Sequence, residues 1–171
     1  AQRHPSKRGF DEAIVSDGKH FDFETQPKVD VPEGAYLADF LTDRAEDFIR
    51  RHQDQPFFLY LPHFGVHSPY QAKKEWIEKF KAKPGVGGHN NPTYAAMIYS
   101  VDESVGRIMR LLDELKLSDN TIVIFSSDNG GVGGYVREGI KQAGDTTDNA
   151  PLRSGKGSLY EGGTRDPFVV R

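Results

Sequence analysis

Between residues 37 and 52 the apolar side chains fall at Leu37, Phe40, Leu41, Ala45, Phe48 and Ile49. Steps of three and four place them along one side of a helix. Asp39, Asp43, Arg44, Glu46, Asp47 and Arg50 lie mostly off that side, and Gln53-Asp54-Gln55-Pro56 ends it. Residues 57–61 read Phe-Phe-Leu-Tyr-Leu. This run does not alternate, which predicts a strand buried on both faces, as in the centre of a parallel sheet. A loop carrying Pro62, His63, Gly65, His67 and Pro69 follows. Residues 72–81 predict a short helix bearing Trp76, Ile77 and Phe80, and residues 83–91 a glycine-rich loop. Asn91-Pro92 is a strong helix start, with Asn as cap and Pro in the first helical position. From there Tyr94, Met97 or Ile98, Val101, Val105, Ile108, Leu112 and Leu115 repeat for about six helical turns. Leu117-Ser118-Asp119-Asn120 makes the turn into Thr121-Ile122-Val123-Ile124-Phe125, a β-branched run that predicts a second buried strand.

Strand, long helix and strand in that order make a parallel crossover unit, almost always right-handed. The expected fold class is therefore α/β, a mostly parallel buried sheet with flanking helices. Parallel strands carry their carboxyl ends to one edge, and ligands of such sheets bind there. The loop with His67 and the loop with Asp128 are thus expected to open on the same edge. Residues 1–35 lack periodicity and form an irregular lead-in, pinned by Phe10, Phe21 and Phe23; residues 36–171 form the α/β region. A structureless stretch this long is unusual in a compact domain. The chain also closes on Asp166-Pro167-Phe168-Val169-Val170-Arg171, which starts as a strand and stops. We expect a piece of a longer protein.

Composition narrows the possibilities. The 171 residues suit one domain. Lys and Arg total 22 against 25 Asp and Glu, a net charge of −3, which argues against binding nucleic acid through bulk positive charge. The longest wholly apolar run, 57–61, is far too short to span a membrane. With no Cys among the residues, disulfides, thiolate metal sites and a Cys nucleophile are excluded within them.

Three places could carry chemistry. Asp128-Asn129 at a predicted strand end offers a carboxylate and a carboxamide oxygen, suited to a hard cation such as Ca²⁺ or Mg²⁺. The same pair before Gly130-Gly131 is equally a turn in which Asp and Asn cap backbone groups. His67, in a His-Ser-Pro loop, could meet an anion or protonate a leaving group, or could be an ordinary loop histidine. His63 lies four residues earlier but off any helix, and His4, His20, His52 and His89 have no supporting context. Lys156, between Gly155 and Gly157 with Arg153 nearby, suggests an anion cradle or a solvated loop lysine. It is not a phosphate-binding P-loop, which needs a Gly where Ala150 stands and Ser or Thr where Gly157 stands. The glycines from 130 to 134 do not form a dinucleotide fingerprint either. Arg165 and Asp166 read as a structural pair or as solvated.

Together these segments resemble the sulfatase family of the alkaline-phosphatase-like superfamily. The matching stretches are Pro56 to Tyr60 with His67-Ser68-Pro69, Tyr94 to Asp102 with the helix beyond, Thr121 to Gly130, and Leu152 to Arg165. The likeness runs from about Tyr36 to the end and is weakest between Gly131 and Asp148. It implies hydrolysis of a sulfate ester, of a small molecule or a carbohydrate, by the parent protein. It also implies a formylglycine nucleophile and a calcium ion, with Mg²⁺ as the lesser alternative. The family's Asp-Asn metal ligands fall on Asp128 and Asn129. Its sulfate-contacting His falls on His67, and the lysine of its Gly-Lys-Gly on Lys156. An exported location, periplasmic or secreted, is implied by the resemblance alone.

The Cys/Ser-x-Pro-x-Arg nucleophile motif is absent. In Arg3-His4-Pro5-Ser6-Lys7-Arg8 the position two before Pro5 is Arg3, which cannot become an aldehyde. The family's early Asp ligands and its upstream Arg, Lys and His are also missing. The chain therefore looks like the carboxyl-side part of the catalytic domain, inactive by itself. Two other readings stand beside this one: a phosphodiesterase or phosphonate hydrolase of the same superfamily, and a non-catalytic module that binds Ca²⁺ or sulfated glycans.

Overall fold

A computed structural model describes residues 3–87, 89–133 and 146–171. In chain order the elements are β1 (Val15–Ser16), β2 (Thr25–Gln26), α1 (Leu37–His52), α2 (Lys74–Lys81), α3 (Pro92–Glu114), β3 (Ile124–Ser126), α4 (Glu161–Thr164) and β4 (Phe168–Val170). Helix α1 occupies the predicted residues and turns Leu37, Phe40, Ala45 and Ile49 inward. Helix α3 starts as predicted: the Asn91 side chain accepts a hydrogen bond from Tyr94 N at 3.0 Å, satisfying one of the orphan N–H groups of the first turn.

Helix α3 packs against both α1 and α2, and three apolar clusters result. Ile49, Leu111 and Leu112 gather Phe48, Phe57, Leu59, Ile108, Leu115, Leu117 and Val123. Ala72, Ala96 and Met97 gather Val66, Tyr70, Trp76, Ile77 and Phe80. The third cluster answers the question of the lead-in: Phe23, Leu37 and Phe40 pack with Ile14, Val29, Val31, Ala35, Leu41 and Phe64. Phe10 and Phe21 are pinned too, against Phe58 and Tyr36. Each fully buried aliphatic side chain contributes about 1.5–3 kcal/mol over its exposed state. Charge reinforces the α1–α3 pairing, since the Arg107 guanidinium reaches both carboxylate oxygens of Glu46, at 2.9 and 2.7 Å, and Asp43. Glu12 of the lead-in is clamped by Arg51 and His52, which hold its carboxyl down at about 2.

The strands depart from expectation. Residues 57–61 are extended but join no ladder among the described residues. Phe57 and Leu59 face the helical core, whereas Phe58 and Tyr60 are 75% and 65% exposed. The absence of polar alternation hid a one-sided strand, because both its faces carry apolar residues. The predicted strand at 121–125 is shorter and shifted, and its ladder is antiparallel: Ile124 pairs with Val170, Phe125 with Val169 and Ser126 with Phe168. The lead-in hairpin β1–β2 is antiparallel as well. The ladders between strands of the described residues are antiparallel, so the parallel sheet inferred from the crossover is not confirmed by them. The α/β class and the α1–α3 scaffold stand, but both faces of β3 and β4 are open to solvent. Phe57, Leu59 and Val123 nevertheless pack on one cluster, so both extended segments leave the same helical core. No helix of the described residues is long and apolar enough to cross a membrane.

Polar groups are buried between the helices. Thr42 Oγ1 donates to Ala38 O at 2.6 Å and lies 2.6 Å from Ser104 Oγ. Ser104 Oγ is in turn 3.0 Å from His63 Nε2. Removing the middle member, Ser104→Ala, leaves the His63 Nε2 without its partner while Thr42 keeps its bond to Ala38 O, and urea unfolding should show a loss of about 1–3 kcal/mol. Burial also lowers the proton affinities of His20 and His63 below the usual 6.5. As pH falls, the unfolded chain therefore protonates these rings before the folded chain does. Their neutral state supports the fold fully above about pH 6.5, and that support drains away as pH drops toward the lowered folded values. Unfolding midpoints should decline between pH 7 and 5, and the decline should be shallower in His63→Gln.

Candidate functional site

Asp128 and Asn129 stand directly beyond β3, in the turn Ser127-Asp128-Asn129-Gly130. Ser127 Oγ donates to Asn129 O at 2.9 Å, which curls the turn. Asn129 Nδ2 faces Gly130 O at 3.3 Å, directing its Oδ1 the other way. Asp128 is exposed and Asn129 half-buried. Both present oxygen, so the pair fits a hard cation. Among the described residues no group of three or more His, Asp or Glu is placed to hold a metal.

The segment 149–163 folds back onto this turn through its main chain. Gly130 N donates to Gly163 O at 3.2 Å, and Lys156 N donates to Gly131 O at 2.9 Å. Asn149 binds the two strands of this crossing together, its Nδ2 donating to Gly131 O at 2.9 Å and to Ser154 O at 3.0 Å. The approach is possible because the contacting residues lack side chains. A Cβ on Gly155 would fall 2.3 Å from Gly131 O, and one on Gly162 would fall 2.1 Å from Ser154 O. The half-buried Lys156 is therefore fixed, by its own backbone, close to the Asp128-Asn129 turn. The guanidinium of Arg153 lies 3.7 Å over the Tyr160 ring. Arg165 pairs with Glu161 rather than with Asp166. Thr146 and Thr147 are buried, Thr147 against Gly131.

His67 occupies an exposed loop between residues 57–61 and α2. Its N–H donates to Phe64 O at 2.9 Å, and its Nδ1 donates to Ser68 O at 2.8 Å. His20 Nε2 donates to His67 O at 2.8 Å. A Cβ on Gly65 would meet Val101 at 2.9 Å, so this loop lies against α3. The structure ties the backbone of Lys156 to Gly131, just beyond the Asp128-Asn129 turn. It anchors His67 to the lead-in and to α3.

Against known proteins, the model of the Sulfatase family matches residues 1–171. The chain belongs to the sulfatase family. It is 41% identical to an N-acetylgalactosamine-6-O-sulfatase of Bacteroides thetaiotaomicron over 137 residues, covering 79% of this sulfatase chain and 25% of that protein. It is 33% identical to the Homo sapiens N-acetylgalactosamine-6-sulfatase, covering 99% of the chain and 34% of the relative. A crystal structure of Ps i-CgsB in complex with k-i-k-neocarrahexaose superposes with a TM-score of 0.77 at 31% identity, over 99% of this chain and 41% of that one. This likeness supports the alkaline-phosphatase-like α/β class. The sulfatase chain spans about a quarter to a third of the length of the relatives it matches.

Asn149 and the contact role of Gly155 and Gly162 were missed in the sequence. The only signal was the glycine density of both loops, and which glycines meet is invisible until the loops cross. Gly155→Ala must push two main chains apart and should destabilise this sulfatase region by about 1–3 kcal/mol, read from unfolding midpoints. Asn149→Ala, which takes the side-chain donor from Ser154 O and one of two donors from Gly131 O, should show a loss of similar size.

Proposed function

We propose that the protein carrying this chain hydrolyses a sulfate ester of a carbohydrate. The observation that carries the reading is the glycine-mediated crossing that sets Lys156 beside the Asp128-Asn129 turn. A sulfuryl group in transfer spreads negative charge over its oxygens, and fixed cationic groups stabilise that charge better than mobile water does. Lys156 supplies an ammonium whose backbone cannot drift. Calcium, held in part by Asp128 and Asn129, supplies further positive charge when bound. His67 Nδ1 is engaged by Ser68 O, and Nε2 is the atom assigned to protonating the departing alkoxide. The formylglycine nucleophile and the remaining ligands are supplied from outside these residues, so the chain alone is inactive. The substrate class follows the relatives named for N-acetylgalactosamine sulfates and the structural neighbour solved with a neocarrahexaose.

In the full-length protein, Lys156→Ala should lower kcat for a sulfated N-acetylgalactosamine by about 10²–10³-fold, as expected for one lost electrostatic contact to the transferring group. A near-normal rate would return Lys156 to an ordinary loop lysine. Asp128→Ala should reduce bound calcium measured by elemental analysis, and unchanged metal content would remove Asp128 from the ligand set. A phosphodiester turned over faster than the sulfate would overturn the substrate class.

A further inference from the structure

His20 lies in the irregular stretch between β1 and β2, yet only 1% of it is exposed. Its backbone and side chain tie together parts far apart in sequence. Its carbonyl accepts from Leu37 N, the first residue of α1, at 2.8 Å. Its Nε2 donates to His67 O at 2.8 Å. Because His67 N already donates to Phe64 O, the His67 residue is fixed at both its amide and its carbonyl. The His20 ring is itself held on two sides. It stacks on Tyr36, with centroids 5.8 Å apart and planes 16° apart, and meets Phe64 at 4.8 Å. Phe64 in turn lies 5.1 Å from the His67 ring. Tyr36 closes the frame by donating its hydroxyl to Gln71 O at 3.1 Å, beyond the His-Ser-Pro turn.

We propose that His20 is the positioning residue for His67: one buried imidazole, locked by Tyr36 and Phe64, sets the direction of the His67 backbone and so the aim of its ring. This rests on the reading of His67 as a group that meets the transferring sulfate. Burial lowers the His20 pKa below the usual 6.5 and so favours the neutral ring, whose Nε2–H donates to His67 O. An error of about 1 Å in the placement of a reacting group can cost on the order of a hundredfold in rate. A hydrogen bond that fixes a loop carbonyl acts on that scale without touching substrate.

The test uses the full-length protein with a sulfated N-acetylgalactosamine and an aryl sulfate as probes. H20F keeps the ring volume and stacking but has no donor, and H20Q restores an amide N–H at a similar reach. For H20F we expect kcat to fall roughly tenfold to a hundredfold with KM nearly unchanged, and for H20Q most of the rate to return. Thermal midpoints of both variants are measured beside the rates. If packing alone matters, H20F does as well as the wild type or better than H20Q, and the proposal falls. It also falls if both variants lose rate only in proportion to lost thermal stability. Should H20F not fold, H20N, whose shorter amide does not reach the carbonyl, replaces it against H20Q. H67A runs in parallel. A near-normal rate there overturns the assignment of His67 itself, whereas an impaired H67A beside a fully active H20F overturns only the role of His20.

Discussion

Burial along helix α3 is the constraint on which the other parts depend. Its carboxyl half contributes Ile108, Leu111 and Leu112 to the cluster with Ile49 of α1, and its amino half contributes Ala96 and Met97 to the cluster with α2. Between these halves sits a polar rung, Ser104 to Thr42 and His63. A helix buried on two sides needs polar contacts that are satisfied in place, because an orphan hydroxyl there would offset much of the gain from a neighbouring leucine. The rung also sets the course of the chain beyond residue 61. His63 is held at Ser104, and Gly65 is then pressed against Val101 one turn earlier. The loop that presents His67 is thereby laid along α3.

The helices were legible because their information is local. The spacing of Leu37, Phe40, Leu41, Ala45, Phe48 and Ile49 and the Asn91-Pro92 start needed no knowledge of neighbours. The strands were legible only in part: the closing strand at Phe168–Val170 forms, but the pairing of the strands was hidden. Phe-Phe-Leu-Tyr-Leu is compatible with burial on both faces or on one, and only a ladder partner decides. Among the described residues β3 takes β4 as that partner, and β4 returns through α4 in the opposite direction. The inferred crossover told which segments share a core but not which of them hydrogen-bond. His20 illustrates the same limit for the site. A lone histidine in an aperiodic stretch carries no pattern, and its meaning lies in a carbonyl 47 positions away.

The site unites two kinds of order. One is chemical and readable in sequence: a carboxylate–carboxamide couple, an imidazole before Ser-Pro, a lysine between glycines. The other is steric and becomes visible only where segments cross. Gly155 and Gly162 do no chemistry, yet they let one main chain lie on another with Asn149 as the clasp. Main-chain contact is stiffer than contact through flexible side chains, which suits the role proposed for Lys156 as a charge held at a fixed point.

The β3–β4 ribbon has a different bearing on the molecule. Ile122, Ile124, Phe168 and Val169 are 78%, 60%, 67% and 60% exposed, beside a short antiparallel pair with open edges. Water-facing isoleucine, phenylalanine and valine next to unpaired amides form a template for intermolecular β-pairing. Handled in isolation, such a polypeptide calls for dilute, cold, detergent-tolerant conditions, and a lysine placed at Ile122 would act as a gatekeeper against precipitation.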